Sequence, residues 1–117
     1  MATAMKTVAR ARRQARVRRR VRGTDQRPRL CVFRSNRHTY VQVISDQSGR
    51  TIVSVSTMGL EGGATGNKAA ARKIGERIAE LCRERSITQV VFDRNGFLFH
   101  GRIKEVADGA RAAGLQL

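Results

Sequence analysis

The chain has 117 residues, enough for one small domain with an appendage and too few for a second full domain. Its 24 Lys and Arg against 9 Asp and Glu give a net charge of +15, which points to a polyanionic partner, either nucleic acid or an anionic membrane surface. No eighteen-residue apolar run is present to span a bilayer and no apolar stretch follows the basic start, so a soluble, cytoplasmic protein without a membrane partner is expected.

The charge is unevenly spread. Residues 1–29 hold eleven Lys and Arg and one acid, Asp25, whereas residues 30–117 carry a balance of only +5. The chain therefore divides into a cationic arm with its linker, residues 1–27, and a more ordinary folded body, residues 28–117. From Ala4 to Arg22 there are good helix formers and no Gly or Pro, but the only large apolar residues are Met5, Val8, Val17 and Val21, a stripe too thin to bury. Arg12, Arg13, Arg16, Arg19 and Arg20 fall at helical spacings where like charges repel, so the arm is expected to be frayed in isolation and helical on a polyanion. An acid-poor, Arg-rich start also resembles a mitochondrial transit peptide, but such peptides are Ser-rich and the first serine here is Ser35.

Gly23 ends the arm, Thr24 to Pro28 reads as a linker, and Pro28, which has no N–H to donate, suits the start of a strand. Leu30 to Arg34, Thr39 to Ser45 and Thr51 to Thr57 are β-rich runs joined by connections short enough for antiparallel hairpins. Alternation sets Val41 and Val43 on a covered side and Tyr40, Gln42 and Ile44 on a mixed side suited to a partner. Met58 to Gly66, with four glycines, predicts a mobile loop, and Asn67 an N-cap. Ala71, Ile74, Ile78 and Leu81 form the stripe of a helix running to about Arg85. Ile87 to Phe92 predicts a buried strand reached by a helical crossover and therefore parallel to a neighbour, followed by a turn at Asp93 to Gly96. Ile103, Val106, Ala107 and Ala110 mark a last helix stopped at Gly114, with Leu115 as its hydrophobic follower. The body thus reads βββαβα: a single-domain α/β (α+β mixed) fold, a mixed sheet with helices packed on it.

Eight arginines between Arg10 and Arg22, namely Arg10, Arg12, Arg13, Arg16, Arg18, Arg19, Arg20 and Arg22, have no acidic partner nearby in sequence. Guanidinium groups bind phosphate bidentately, and this density favours a nucleic-acid contact over a solubilising tail. The Arg34-Ser35-Asn36-Arg37-His38 connection reads equally as a plain polar hairpin or as a set of phosphate, sugar and base contacts beside the stacking face of Tyr40. His100, next to Arg102, has the chemistry of a general base, a metal ligand or a polar RNA contact. Catalysis is the weakest of these, because no nucleophile motif accompanies it and Asp93, Glu105 and Asp108 show no convergence in sequence. Asp93 fits a turn cap or a partner for a neighbouring arginine. Gly62 to Lys68 resembles a phosphate loop only superficially, since Asn67 separates Gly66 from Lys68. Cys31 and Cys82 sit in apolar patterns and read as small buried hydrophobes, so neither a disulfide nor a metal site is expected.

The run Arg27-Pro28-Arg29-Leu30-Cys31-Val32-Phe33-Arg34-Ser35-Asn36-Arg37-His38-Thr39-Tyr40-Val41-Gln42-Val43-Ile44 resembles the first hairpin of the bacterial large-subunit ribosomal protein L-eighteen family. Ser56-Thr57, Gly66-Asn67 with Ala69-Ala70-Ala71, Val91 to Arg102 and Ala107 to Leu115 extend the resemblance in order over nearly the whole chain. It implies a ribosomal constituent that binds 5S rRNA and helps attach it to 23S rRNA in the central protuberance beside ribosomal protein L-five, with no enzymatic activity, cofactor or small-molecule substrate. It also implies RNA contacts by the arm arginines and by Arg34, Ser35, Asn36, Arg37, Tyr40, His100 and Arg102. Departures from the family pattern are a shorter Met58 to Gly66 loop, Leu117 in place of a terminal aromatic, and Gly109 in place of an alanine, the last costing about 1 kcal/mol on helix propensity alone. The alternatives are a nonspecific basic DNA- or RNA-compacting protein and, more distantly, a His-dependent ribonuclease.

Overall fold

The computed structural model describes residues 9–13, 15–16, 22–58 and 67–117. Arg18, Arg19 and Arg20, and most of the predicted glycine-rich loop, lie outside the described residues.

The β-branched runs form β1 (Arg29–Arg34), β2 (Thr39–Ser45) and β3 (Arg50–Ser56), paired antiparallel in succession. A three-residue strand, β4 (Val91–Asp93), lies parallel to β1, giving the order β3-β2-β1-β4. A parallel neighbour needs a crossover, and α1 (Lys68–Glu84) supplies it before α2 (Arg102–Ala112) closes the fold. The sheet's inward residues, Leu30, Val32, Val41, Val43 and Val53, are buried in one core with Ala71, Ile74, Ile78 and Cys82 of α1 and Ile103, Val106 and Ala110 of α2. Both α1 and α2 belong to that single core, and among the described residues the opposite sheet face is only partly covered, with Phe33 43% exposed.

Local chemistry sets the ends of these elements. Asn67 caps α1 by accepting a hydrogen bond of 2.8 Å from the Ala70 N–H. The stripe of α1 runs through Ala71, Ile74 and Ile78 as expected, but it ends on Cys82, with Leu81 only half-buried. Desolvation there pushes the Cys82 thiol up to about 11. The fourth strand is shorter than the apolar run from Ile87 predicts. Ile87 and Val90 enter the core, but residues 88–90 meet the C-terminal tail instead of β1, through Val90 N–H to Gln116 O and Gln116 N–H to Thr88 O. Asp93 ends the strand, and the turn is Arg94 to Phe97, with Asn95 and Gly96 at φ 53° and 76°, the left-handed conformation these two residues tolerate best.

Gly109 has a packing reason that propensity does not reveal. A Cβ at Gly109 would stand 2.4 Å from the Arg72 carbonyl oxygen of α1, and one at Gly75 would stand 2.3 Å from the Val106 carbonyl oxygen of α2. The two helices therefore approach with backbone against backbone, and alanine at position 109 would not simply recover its propensity. Gly75→Ala is expected to lower unfolding free energy by about 2 kcal/mol in urea titrations, although alanine gains about 1 kcal/mol in a free helix. A stability gain would mean that the helices separate at little cost.

The described arm residues 9–13 and 15–16 are helical, and Arg22 is not. Gly23 is buried where the chain enters the body: a Cβ there would lie 2.4 Å from Arg29 N, and its N–H donates to Asp46 Oδ2 at 2.7 Å. The linker after it is fastened as well, by Thr24 N–H to Arg27 O, Asp25 N–H to Gln47 Oε1 and Ser45 Oγ–H to the Asp25 carboxylate.

Candidate nucleic-acid interface

Folding gathers Arg10 and Arg13 of the arm with Arg34 of β1, His100 of the loop leading into α2 and Arg102, the first residue of α2. These five line a cavity of about 390 Å³ whose apolar wall is Phe97 and Leu98, and no carboxylate is among the described residues around it. Among the described residues, Arg13 Nε–H donates to Gly96 O at 2.8 Å and Arg10 Nη2–H to Asn95 O at 3.3 Å, joining the arm to the body. The Arg10 guanidinium carbon lies 4.1 Å from the Phe97 ring centroid and 5.6 Å from that of Phe33, and that of Arg34 lies 5.4 Å from Phe97. Partial burial and the nearby Arg34 hold the Arg102 pKa below its ordinary value, although the group stays cationic at any physiological pH. Cations crowded in this way are relieved by an anion, and bidentate guanidinium geometry matches phosphate.

The predicted hairpin contacts sit beyond the end of β1. Ser35, Asn36 and Arg37 are exposed on the turn, which is fixed by Ser35 N–H to His38 O at 2.8 Å and His38 N–H to Ser35 Oγ at 3.2 Å. Tyr40 is half-buried, its ring centroid 5.8 Å from Phe33 and 6.3 Å from His38. Arg12 and Arg16 are exposed among the described helical residues of the arm, and Arg22 is exposed just before Gly23. Arg18, Arg19 and Arg20 lie outside the described residues.

The sheet face that alternation predicts as the mixed side, with Tyr40, Gln42 and Ile44, also carries Phe33, which sequence reading left out. Cys31, Phe33, Tyr40, Gln42, Ile44 and Asn95 surround a second hollow of about 440 Å³, with Arg29 at its rim. An aromatic pair offers a stacking surface and the amide side chain of Gln42 a base-edge contact, the combination used for unpaired nucleotides. Phe33 was hidden in a strand pattern and Phe97 in an apolar run. Their signal was an aromatic outside the buried alternation in a chain with only four Phe and one Tyr.

The same geometry argues against acid–base chemistry. Asp93 is fully buried, accepting from the Asn95 N–H, the turn cap expected of it, and from Arg29, which is 64 positions away rather than the neighbouring arginine expected. Glu105 faces Arg72 at 3.8 Å and Asp108 faces Arg111 at 3.9 Å, each on α2 and committed to a different neighbour.

Residues 4–117 match the family described as ribosomal L18 of archaea, bacteria, mitochondria and chloroplast. The chain is 51% identical over 117 residues to a large ribosomal subunit protein uL18 of Nitratidesulfovibrio vulgaris (strain DSM 19637 / Miyazaki F), covering 97% of this chain and 98% of that one. It is 53% identical to the uL18 of Pelobacter propionicus (97% and 96% covered) and 53% identical to that of Sorangium cellulosum (95% and 97% covered). A match over residues 4–117, together with this identity to large ribosomal subunit proteins, places the chain in the ribosomal L18 family, a family of structural ribosomal proteins and not of enzymes.

Proposed function

We propose that this large-subunit protein binds 5S rRNA and helps attach it to 23S rRNA in the central protuberance, beside ribosomal protein L-five. The observation that carries the reading is the cluster of Arg34, His100 and Arg102, with no carboxylate among the described residues around it, which adjoins an aromatic sheet face. Cations alone suit any polyanion. Stacking rings and amides beside them suit a folded RNA with unpaired bases, because a regular duplex offers no free base faces. In this reading Arg12, Arg16, Arg18, Arg19, Arg20 and Arg22 neutralise phosphates. Arg34, Ser35, Asn36, Arg37, Tyr40, His100 and Arg102 recognise the shape and loop nucleotides of the 5S molecule.

Competition tests it. Labelled 5S rRNA bound to the protein at about 0.15 M salt is expected to resist a hundredfold mass excess of duplex DNA and to yield to unlabelled 5S rRNA. Equal displacement by both competitors would favour the nonspecific compacting protein.

A further inference from the structure

His38, at the end of the β1–β2 turn, is held by its backbone and by its ring. Its N–H donates to Ser35 Oγ at 3.2 Å, and its carbonyl accepts from the Ser35 N–H at 2.8 Å and from Arg102 Nη1–H at 3.5 Å. The ring Nδ1 lies 3.1 Å from Oγ1 of Thr57, a fully buried residue just past the end of β3. That hydroxyl oxygen already accepts from the Thr39 N–H at 3.0 Å, and the only acceptor its own hydrogen meets among the described residues is His38 Nδ1. With the hydroxyl donating, Nδ1 carries no hydrogen and Nε2 carries one. Nε2 has no hydrogen-bond partner among the described residues and keeps contact with solvent, on the turn that exposes Ser35, Asn36 and Arg37.

We propose that His38 is a further RNA-binding residue, one that offers its Nε2–H to a hydrogen-bond acceptor of the RNA, and that Thr57 is the positioning residue that fixes this tautomer. The ligand rests on the 5S reading above, whereas the tautomer rests on hydrogen-bond geometry alone. A free imidazole divides itself between two tautomers and turns about its side-chain bonds. Thr57 removes both freedoms before binding, so the donor is already oriented when the RNA arrives. The bond from Arg102 to the His38 carbonyl sets that donor beside the first cation of α2, which joins the turn and the α2 start into one surface.

The tautomer is tested first on the free, full-length protein, by long-range nitrogen–proton correlation at about pH 8, above the ordinary histidine range. With only two histidines in the chain, His38→Gln identifies the signals. His38 is expected to show Nε2–H alone, Thr57→Val to admit the Nδ1–H form, and Thr57→Ser to match the parent. Binding of 5S rRNA at the same pH then separates an RNA contact from a structural tie. Glutamine places an amide N–H about where Nε2–H stands, whereas asparagine reaches only the Nδ1 position. His38→Ala and His38→Asn are therefore expected to bind about fivefold to tenfold more weakly, His38→Gln within about twofold of the parent, and Thr57→Val about threefold more weakly. The slope of log affinity against log salt should not change in any of them, because a donor without charge releases no counterions. An Nδ1–H tautomer in the parent, parental affinity in His38→Ala, or rescue by asparagine and not glutamine would each overturn the inference and leave the 5S reading standing. A parent with no preference for 5S rRNA would overturn both.

Discussion

Replacing Arg29 with alanine is expected to lower unfolding free energy by about 3–5 kcal/mol, the usual cost of stripping one partner from a buried ion pair. Arg29 is 12% exposed and its partners Asp46 and Asp93 are 24% and 0% exposed. Its Nη1–H donates to Asp93 Oδ2 at 2.6 Å, while Nε–H and Nη2–H form a two-pronged pair with Asp46 at 3.1 and 3.0 Å. Asp46 also accepts from Gly23 and Asp93 from Asn95, so one guanidinium ties the arm exit, the β2–β3 turn and the turn after β4 together. Alanine leaves the fully buried Asp93 side chain without its guanidinium partner. Urea midpoints should fall accordingly, and Tm by roughly 15 °C. Arg29→Lys should recover little, since an ammonium cannot span two carboxylates in this fork. The pH dependence has a definite sign. Hydrogen bonds from Arg29 hold the Asp46 carboxyl below its ordinary value. An acid with a depressed folded pKa contributes stability above the unfolded pKa and loses it as pH falls through the folded one. The gap between parent and Arg29→Ala is therefore expected to be full at neutral pH and to narrow below about pH 4. A gap that stays constant into strong acid would mean that side-chain packing of Arg29, and not its ion pairs, supplies the stability.

That strut also marks where sequence reading stops. The hairpin of β1 and β2 was legible because alternation and turn composition act between residues a few positions apart, and the Asn67 cap and Gly114 stop are local for the same reason. Arg29 and Asp93 are 64 positions apart, and nothing in either neighbourhood announces the pairing. Gly75 and Gly109 each look like a helix weakness until the crossing puts a carbonyl where a Cβ would stand. The short fourth strand failed for a related reason: an apolar run reports burial, and burial beside the C-terminal tail looks the same as burial beside β1. In the candidate site, residue types were legible and their company was not. Arg34, His100 and Arg102 were separable as basic residues near turns, but Phe97 joins them to the arm only in three dimensions.

The second large effect concerns salt. Deleting residues 1–22 removes eight arginines from Arg10 to Arg22, yet the strut at Gly23 and the whole core remain. Each phosphate neutralised contributes roughly 0.7–0.9 to the slope of log affinity against log salt. Arg10 and Arg13 already donate to body carbonyls, which leaves six arginines facing outward or beyond the described residues as phosphate partners. The slope for 5S rRNA is therefore expected to flatten by roughly 4 to 5 on deletion, and affinity at low salt to fall by about a thousandfold or more. Preference for 5S rRNA over duplex DNA should survive in the truncated protein, because the proposed function assigns recognition of a folded RNA to the sheet face and the β1–β2 turn. Titrations across about 50–300 mM salt with both ligands separate the two properties. An unchanged slope would remove the arm from the interface. A lost preference at a flattened slope would move recognition from the body into the arm, a result that a string of unpaired arginines is poorly suited to produce, since phosphate contacts carry no direct base readout.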